Sequence, residues 1–563
     1  MLSSASARLS HLATGGQRWT ARALTLLRRH WLVSVLLAAG LALRVATQLA
    51  YQPALVYIDT LKYLYGVYPG ADPLGYRVLL KAVLVVGDLG FVAAIQHLLG
   101  LAEAVALYAV LLRRGVWRWL AALAVAPVLL DAYQLQMEQM IMPDVWFEAM
   151  LVAGLVALLW QPAVSPGFAA AAGLVLGVSA TFHQLGEILI VPVVAFLLVA
   201  GLLGPGGWRR AVSTSAVLAV AFLLPILGYS GVSYARTGHF WLSGQQSHSG
   251  RMAAAADCAT LKLPPAVRPL CPSPATAAQG PDWLEHSGKS PLHAAAIPPG
   301  ASRGKLIGEL TSAVEHQQPL RVVAAIARDS VRLFAVTRDQ TSGVGPIARW
   351  QFQARYPTYP PWVTLGRGHV IVAGLQWRVF GPFRPTPLRP SYGDKAHVIR
   401  PLATFLRSYQ LHGGFTPGPL LLLFTLAGLA GSVLAITGLA STGRARAGRR
   451  GGSGSRRLAL GSLLFTLTAA TVLLAPDVLQ FSWRYQLPAV VTLPPAGALG
   501  ICAIVSRYRA RRQSGGERVI ETSDVAWSPG PADGSQVTAL SPAAKPAPEA
   551  PQEPASGTTP AAT

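Results

Sequence analysis

The sequence predicts an all-α polytopic membrane protein with about ten transmembrane helices. Hydrophobic residues make up 52% of its 563 residues and charged residues only 13%, whereas soluble domains carry about 25% charged residues. A helix crosses a bilayer with about 20 apolar residues, and stretches of roughly this length recur along the chain. They lie at residues 31–50, 93–112, 119–133, 145–160, 168–182, 187–204, 212–231, 417–438, 458–475 and 486–506.

The first stretch follows a basic segment, residues 1–30, which predicts a cytoplasmic N-terminus. No convincing small-residue cleavage site ends the stretch, so an uncleaved signal-anchor is favoured over a signal peptide. The basic residues of the segment are Arg8, Arg18, Arg22, Arg28 and Arg29.

Arginines in alternate loops then fix the orientation, because loops that stay in the cytoplasm are enriched in Lys and Arg. This placement accounts for most of the formal net charge of +23, so we expect membrane lipid and no nucleic acid as a partner. The tail, residues 507–563, is basic and then disordered by composition, and it lies in the cytoplasm. The inner basic runs are Arg113, Arg114 and Arg118; Arg209 and Arg210; GRARAGRRGGSGSRR at 443–457; and RYRARR at 507–512.

Two further segments complete the organisation. Residues 31–231 form a transmembrane core, and residues 417–506 supply the last spans. Between these parts lies an extracytoplasmic segment, residues 232–416, long enough for a small domain. It contains Cys258 and Cys271, which we expect to form a disulfide in an oxidising exterior.

The first outer loop, residues 51–92, begins with VYIDTLKYLYGVYPGADPLGYR. Asp59 and Lys62 follow the first span directly, and the apolar stripe with Arg77 predicts a helix along the membrane interface. A carboxylate on such a shelf can meet the polar head of a lipid-linked substrate, and a tyrosine such as Tyr63 could stack on a sugar. The alternative for the tyrosines is an interfacial aromatic belt, which has no need of an acid.

The second outer loop, residues 131–144, places Glu138 and Asp144 in the apolar stretch MEQMIMPDVWF. With Asp59 they could bind a divalent cation, the only cofactor that the sequence suggests, or position an acceptor sugar. Asp131 and Glu148 in the same region could instead be solvated loop charges.

Two later turns add candidates. ATFHQLGE at 180–187 offers His183 and Glu187, which could equally be structural at a helix end. In WRYQLP, Arg484 beside Tyr485 could grip a phosphate with two parallel hydrogen bonds, or could snorkel to the interface. Arg44 has the same two interpretations. The sequence contains no phosphate-cradling glycine loop, which argues against nucleotide hydrolysis.

These motifs together resemble the GT-C superfamily of polyprenyl-phosphate-dependent glycosyltransferases, in its bacterial members. The resemblance covers about residues 31–240 and 475–505 and implies that Asp59 is the catalytic aspartate of the first outer loop. Where the family often has an arginine after its fifth span, this chain has FHQLGE, with His183 as a substitute. The residues that carry the resemblance are Asp59, the GY-R step at 75–77, QHLLGLAEAVALYAVLLRRG at 96–115, QLQMEQMIMPD at 134–144, ARTGHFWLS at 235–243 and WRYQLP at 483–488.

The resemblance and the loop chemistry imply transfer of a sugar, a mannosyl or arabinosyl group, from a polyprenyl-phosphate donor to a cell-envelope glycan or lipid. Asp59 would act as general base in an inverting single displacement. Arg484, with Arg77 or Lys62, would neutralise the leaving phosphate.

Two other classes remain open at this point. A transporter or flippase of a lipid-linked sugar would use intramembrane residues such as His97 and Glu103, although its acids should lie at the bilayer midplane. An assembly protein would bind its partner through residues 232–416 and would not need Asp59.

Overall fold

The computed structural model describes residues 25, 27–65, 73–204, 207–242, 248–338, 347–357, 363–366, 369–372, 396–441, 453–479 and 481–523. This part of the chain forms an all-α polytopic membrane protein, as the sequence predicts. Helices occupy the position of every predicted span. The helices at these positions are α1 Trp31–Ala50, α4 Leu89–Arg114, α5 Arg118–Leu130, α6 Ala132–Gln139, α7 Asp144–Trp160, α8 Pro166–Ala180, α9 Leu185–Ile188, α10 Ile190–Leu203, α11 Gly207–Thr237, α19 Gly418–Ser441, α20 Ser453–Asp477 and α21 Pro488–Ser523.

Seven spans of the described residues are long and apolar enough to cross a membrane when α9 and α10 count together as one span, Leu185–Leu203. The number is eight if α5 and α6 also count as one span, bent by 49°. Helices α7 and α8 have only 17 and 15 residues. At 1.5 Å per residue, they are shorter than the 30 Å hydrocarbon layer that a full span must cross. The ten predicted stretches therefore comprise seven full-length helices and three shorter ones packed among them.

Close packing holds the short helix α8 against α11. A side chain at Gly173 would overlap the Leu218 carbonyl, and one at Gly177 would overlap the Phe222 carbonyl. Small residues spaced four apart let two membrane helices approach to backbone contact, where dispersion forces are strongest. The α8–α11 contact thus belongs to the large apolar core of the bundle.

The connecting segment, residues 232–416, contains short helices around an apolar core of its own, which includes Met252, Leu284 and Leu310. Cys258 and Cys271 form a disulfide there, with Cα atoms 5.9 Å apart. Its helices are α12 Ser249–Ala255, α13 Pro274–Ala277, α14 Pro281–His286, α15 Pro291–Ala294, α16 Arg303–Gln317, α17 Pro319–Val331 and α18 Arg400–Leu411, with 3₁₀ turns at Arg268–Leu270, Arg332–Phe334 and Ile347–Trp350.

The connecting segment returns to the bundle through backbone pairing and aromatic contacts. Strand β1, Tyr51–Gln52, pairs antiparallel with β4, His397–Val398, and the rings of Tyr51 and Phe352 stack at 5.4 Å. A separate antiparallel hairpin joins β2, Val363–Gly366, to β3, His369–Val372. The segment therefore packs directly on the loop that follows α1.

Replacing both Cys258 and Cys271 by serine should lower the free energy of unfolding of the connecting segment by about 2–4 kcal/mol, because a cross-link restricts the unfolded chain. Proteolysis of residues 232–416 during thermal unfolding measures this change. Cys502→Ala removes the buried free thiol of α21 and should leave that proteolysis midpoint unchanged. A double-serine variant with a wild-type midpoint would contradict the expectation.

Candidate active site

Asp59 lies in the first turn of helix α2, Ile58–Tyr65, and backbone hydrogen bonds fix the chain just before it. The Leu55 N–H donates to the Gln139 carbonyl (2.9 Å), and the Ile141 N–H donates to the Leu55 carbonyl (3.0 Å). The Thr60 hydroxyl donates to the Ile141 carbonyl (3.0 Å). The loop that carries Asp59 is thus joined to the loop between α6 and α7.

Arg484 connects Asp59 to Asp144. Its Nη1 donates to Asp59 Oδ2 (2.9 Å), while its Nε and Nη2 donate to Asp144 Oδ1 and Oδ2 (2.7 and 2.9 Å). Two parallel hydrogen bonds between a guanidinium and a carboxylate fix the plane of both groups. Asp144 is the first residue of α7, where the helix dipole favours a negative charge. The sequence analysis named all three residues, and the structure brings them together.

Aromatic rings surround the guanidinium of Arg484. Its central carbon lies 5.7 Å from the ring centroid of Trp350 and 5.5 Å from that of Tyr485. Trp350 also packs against Tyr57 at 5.1 Å. Cation–π contacts of this kind gain strength where water is excluded, so the rings help to hold a buried positive charge.

His183 lies close to the same ion pair. It lines a cavity with Asp144, Arg484 and Tyr485, and its ring is 5.1 Å from that of Phe147. The Leu185 N–H donates to His183 Nδ1 (3.2 Å), which places the ring at the start of α9. The structure therefore groups His183 and Tyr485 with Arg484.

Glu138 belongs to a different, fully buried network. Arg44 Nη2 binds its Oε1 (2.6 Å) and His97 Nδ1 binds its Oε2 (2.8 Å). A side chain at Gly100 of α4 would overlap this carboxylate, so glycine there makes room for it. Arg44 also donates to the carbonyls of residues 128 and 129 near the end of α5 (both 3.0 Å). The interpretation of Arg44 as a snorkelling residue is therefore wrong.

The expected cation site formed by Asp59, Glu138 and Asp144 does not assemble. The Glu138 carboxylate is bound by an arginine and a histidine, whereas the other two acids share Arg484. Within the ranges that the structure describes, no group of three His, Cys, Asp or Glu side chains could hold a metal ion.

The remaining candidates of the first outer loop have other surroundings. The ring of Tyr63 is buried and makes a T-shaped contact with Tyr76 at 5.1 Å, so it is not exposed for stacking on a sugar as the sequence analysis suggested. Arg77 lies on helix α3, Gly75–Val83, where its charge lowers the pKa of Lys81. The side chain of Lys62 lies outside the described residues.

Two acids interpreted as solvated loop charges are buried. Asp131 accepts two hydrogen bonds from Arg338 of the connecting segment (3.0 and 3.4 Å), whose guanidinium lies 4.5 Å from the Tyr133 ring centroid. Glu148 accepts a hydrogen bond from Gln134 (2.8 Å). Both carboxylates are therefore hydrogen-bonded to buried protein side chains and are not exposed to water.

Sequence reasoning missed the polar residues that the connecting segment brings to Asp59. Arg349 Nη1 donates to the Tyr57 hydroxyl (3.3 Å) and lies 3.8 Å from Asp282 Oδ2. Burial, followed by the charge of Asp59, raises the pKa of Tyr57 to about 12, so its hydroxyl keeps its proton. Like Arg484, which stands between Trp483 and Tyr485, Arg349 stands next to a tryptophan. This pairing is a signal in the sequence, but by itself it does not show that Arg349 lies near Asp59.

The chain is similar to three solved structures. The Saccharomyces cerevisiae protein O-mannosyltransferase complex bound to the sugar donor matches 40% of this chain and 36% of its own, with a TM-score of 0.31 and 18% identity. The Archaeoglobus fulgidus oligosaccharyltransferase AglB, in complex with an inhibitory peptide and a dolichol-phosphate, matches 87% of this chain and 52% of its own, with a TM-score of 0.40 and 13% identity. An apo form of the Archaeoglobus fulgidus oligosaccharyltransferase matches at the same coverage and TM-score with 14% identity.

The chain spans about half the length of the oligosaccharyltransferase and about a third of the mannosyltransferase chain. No protein-family model matches the sequence, and no curated protein matches it.

Replacing Arg44 by methionine should lower the free energy of unfolding by about 3–5 kcal/mol, because it leaves the Glu138 carboxylate buried without its main counter-charge. The double variant Arg44→Met, Glu138→Gln should lose less, since the unpaired charge is then gone. Thermal unfolding in detergent compares the variants. Arg236→Met, at the exposed end of α11, is the control; a loss as large as that of Arg44→Met would contradict the argument.

Proposed function

We propose that the protein transfers a sugar from a polyprenyl-phosphate donor to a hydroxyl of a cell-envelope glycan or lipid. Asp59 is the general base and Arg484 binds the donor phosphate. The observation that carries this proposal is the direct contact between Asp59 and Arg484 at one end of the helix bundle. It places a proton acceptor beside a cation that suits a phosphate.

Arg484 retains donors for a phosphate. An arginine has five N–H groups, and three of them make the hydrogen bonds to Asp59 and Asp144. One N–H on each Nη is left after these bonds. Asp144 holds the plane of the guanidinium, so these two donors have a fixed direction before any donor binds, and a planar guanidinium matches the geometry of phosphate oxygens.

In the proposed reaction the acceptor oxygen attacks the anomeric carbon as its proton passes to the Asp59 carboxylate. The bond between that carbon and the phosphate oxygen breaks, and the polyprenyl phosphate leaves with the electron pair. Arg484 stabilises the charge that grows on the leaving oxygen, where a preorganised donor has its largest effect on rate. A single displacement inverts the anomeric configuration.

The donor phosphate and Asp59 compete for the same guanidinium. Without donor, Nη1 of Arg484 is bound to the carboxylate. A donor phosphate that binds Arg484 draws on the same positive charge as Asp59. Arg484 then stabilises the ionised carboxylate of Asp59 less, so this carboxylate becomes a better proton acceptor. Donor binding would thus activate the base.

The expected orientation places this site outside the cytoplasm. The loops of Asp59 and Asp144 meet at one end of the bundle, and the arginine-rich loops predict that the opposite end faces the cytoplasm. The Cys258–Cys271 disulfide of the connecting segment suits an oxidising compartment. Both features support an extracytoplasmic site.

Transport fits these positions less well. Asp59 follows α1, Asp144 begins α7, and Arg484 precedes α21, so the charges lie at helix ends rather than at the midplane where transporters bind substrate. His97, a candidate for a transport pathway, is bound to Glu138 and Gln139.

Asp59→Asn should reduce turnover by about 10²–10⁴-fold, the usual contribution of a general base. It should not weaken donor binding, because asparagine lacks the charge that competes with the phosphate for Arg484. Sugar transfer in membranes, measured with radiolabelled polyprenyl-phosphate mannose and arabinose and an envelope extract as acceptor, tests this. The matched control is Asp88→Asn in the same loop, because Asp88 caps α4 and asparagine caps equally well. Wild-type turnover in Asp59→Asn would overturn the assignment.

Arg484→Lys should raise the KM for the donor and lower kcat, although the positive charge is kept. An ammonium cannot bind Asp144 through two parallel hydrogen bonds and Asp59 at the same time. The loss should be about 10²–10³-fold in kcat, as for removal of one preorganised donor. Arg209→Lys, at an exposed position of α11, is the control, and equal kinetics in the two variants would exclude a role for the guanidinium geometry.

A further inference from the structure

Arg349 of the connecting segment lies beside the proposed base. Its Nη1 donates to the hydroxyl of Tyr57 (3.3 Å), two residues before Asp59 in the chain, and lies 3.8 Å from Asp282 of α14. Its neighbour Trp350 packs on Tyr57 and lies over Arg484. One short turn thus places a guanidinium near Asp59 and an aromatic ring over the proposed phosphate-binding arginine.

Arg349 differs from the other arginines of this region in its exposure. The side chains of Arg44, Arg338 and Arg484 are 2%, 8% and 7% exposed, and each makes a carboxylate contact of 3.0 Å or less. The side chain of Arg349 is 32% exposed and both of its contacts are longer. The buried arginines hold the structure together, whereas the side chain of Arg349 is partly exposed.

Asp282 shows the same partial exposure. Its side chain is 29% exposed, close to the 27% of Asp59. A hydrogen bond from His286 is the main reason that the pKa of Asp282 lies below its usual value, although Asp59 is near enough to oppose that shift. Asp282 therefore presents a carboxylate on the same side of the site as the proposed base.

We propose that Arg349 and Asp282, with the Tyr57 hydroxyl, bind a neutral glycan acceptor and turn its attacking hydroxyl toward Asp59. This inference rests on the proposed function and deepens it by assigning the acceptor side of the site. A sugar hydroxyl is both a donor and an acceptor, so neighbouring hydroxyls can pair with a carboxylate and a guanidinium together. The ion pairs of the site join three acids, Asp59, Asp144 and Asp282, to two arginines, Arg349 and Arg484, so they carry no net positive charge to attract an anionic acceptor.

The connecting segment contains a matched control pair. Arg321 Nη1 lies 3.4 Å from Asp257 Oδ2, and both side chains are partly exposed, as in the pair of Arg349 and Asp282. Arg321 also donates to the Ala255 carbonyl (3.3 Å), so it contacts its own segment rather than the loop of Asp59. Removing a charge from this pair reproduces the surface change without touching the proposed acceptor site.

The experiment measures steady-state transfer by the full-length protein in nanodiscs. Radiolabelled polyprenyl-phosphate mannose and arabinose are the donors, and neutral octyl oligosaccharides of mannose, arabinose and galactose are the acceptors. Arg349→Gln and Asp282→Asn should each raise the KM for the acceptor by about 10–100-fold, as expected when a hydrogen bond to a charged group is lost. The KM for the donor should change by less than about twofold, because Arg484 is intact.

Arg321→Gln and Asp257→Asn should keep the wild-type KM for both substrates. If Arg349→Gln and Asp282→Asn also keep the wild-type KM for the acceptor, the inference is overturned while the proposed function stands. A rise in both KM values with a lower melting temperature would show a structural role and would likewise overturn it. Absence of transfer by the wild-type protein with every donor would overturn the proposed function itself, and this inference with it.

Discussion

The buried charge of Arg484 is the constraint on which the site depends. Moving a guanidinium out of water costs several kcal/mol unless carboxylates and hydrogen bonds replace its hydration. Arg484 meets this requirement with Asp144 on one edge and Asp59 on another. The three residues lie in α2, at the start of α7 and just before α21, so compensating one charge brings together parts of the chain that are up to 425 positions apart. The same compensation fixes the direction of the N–H groups that remain for a phosphate.

A second buried ion pair gives the site its support. Glu138, held by Arg44 and His97, lies only six positions before Asp144 in the chain. The stretch from Glu138 to Asp144 is therefore held at one end by residues of α1 and α4 and binds Arg484 at its other end. Because backbone hydrogen bonds also join this loop to the chain before Asp59, the position of the proposed base depends on the Glu138 network, although that network does not contact the base.

The connecting segment completes the site from the other side. Arg338 binds Asp131 at the mouth of the bundle, Trp350 lies over Arg484, and Arg349 reaches Tyr57. The group proposed to bind the lipid phosphate, Arg484, thus comes from the membrane bundle, whereas the segment supplies Arg349 and Asp282, which are proposed to hold the acceptor together with Tyr57 of the first outer loop. This division is physically reasonable, because the lipid arrives within the bilayer and a glycan arrives from the aqueous side.

The sequence by itself located the membrane helices and singled out several candidate site residues. Span length and apolar composition are local properties, so they located the seven long apolar helices of the described residues, although three further predicted spans are shorter helices. An acid directly after a span and an arginine between Trp483 and Tyr485 are unusual enough to single out Asp59 and Arg484. Only the tertiary structure decided which charges meet. The Met-rich surroundings of Glu138 predicted burial but not its partner, and the composition of residues 232–416 gave no sign that Arg349 approaches Tyr57. Hydrogen bonds and direct ion pairs require donor and acceptor atoms about 3 Å apart. Which side chains come that close depends on how distant segments pack together, and a local stretch of sequence does not specify that packing.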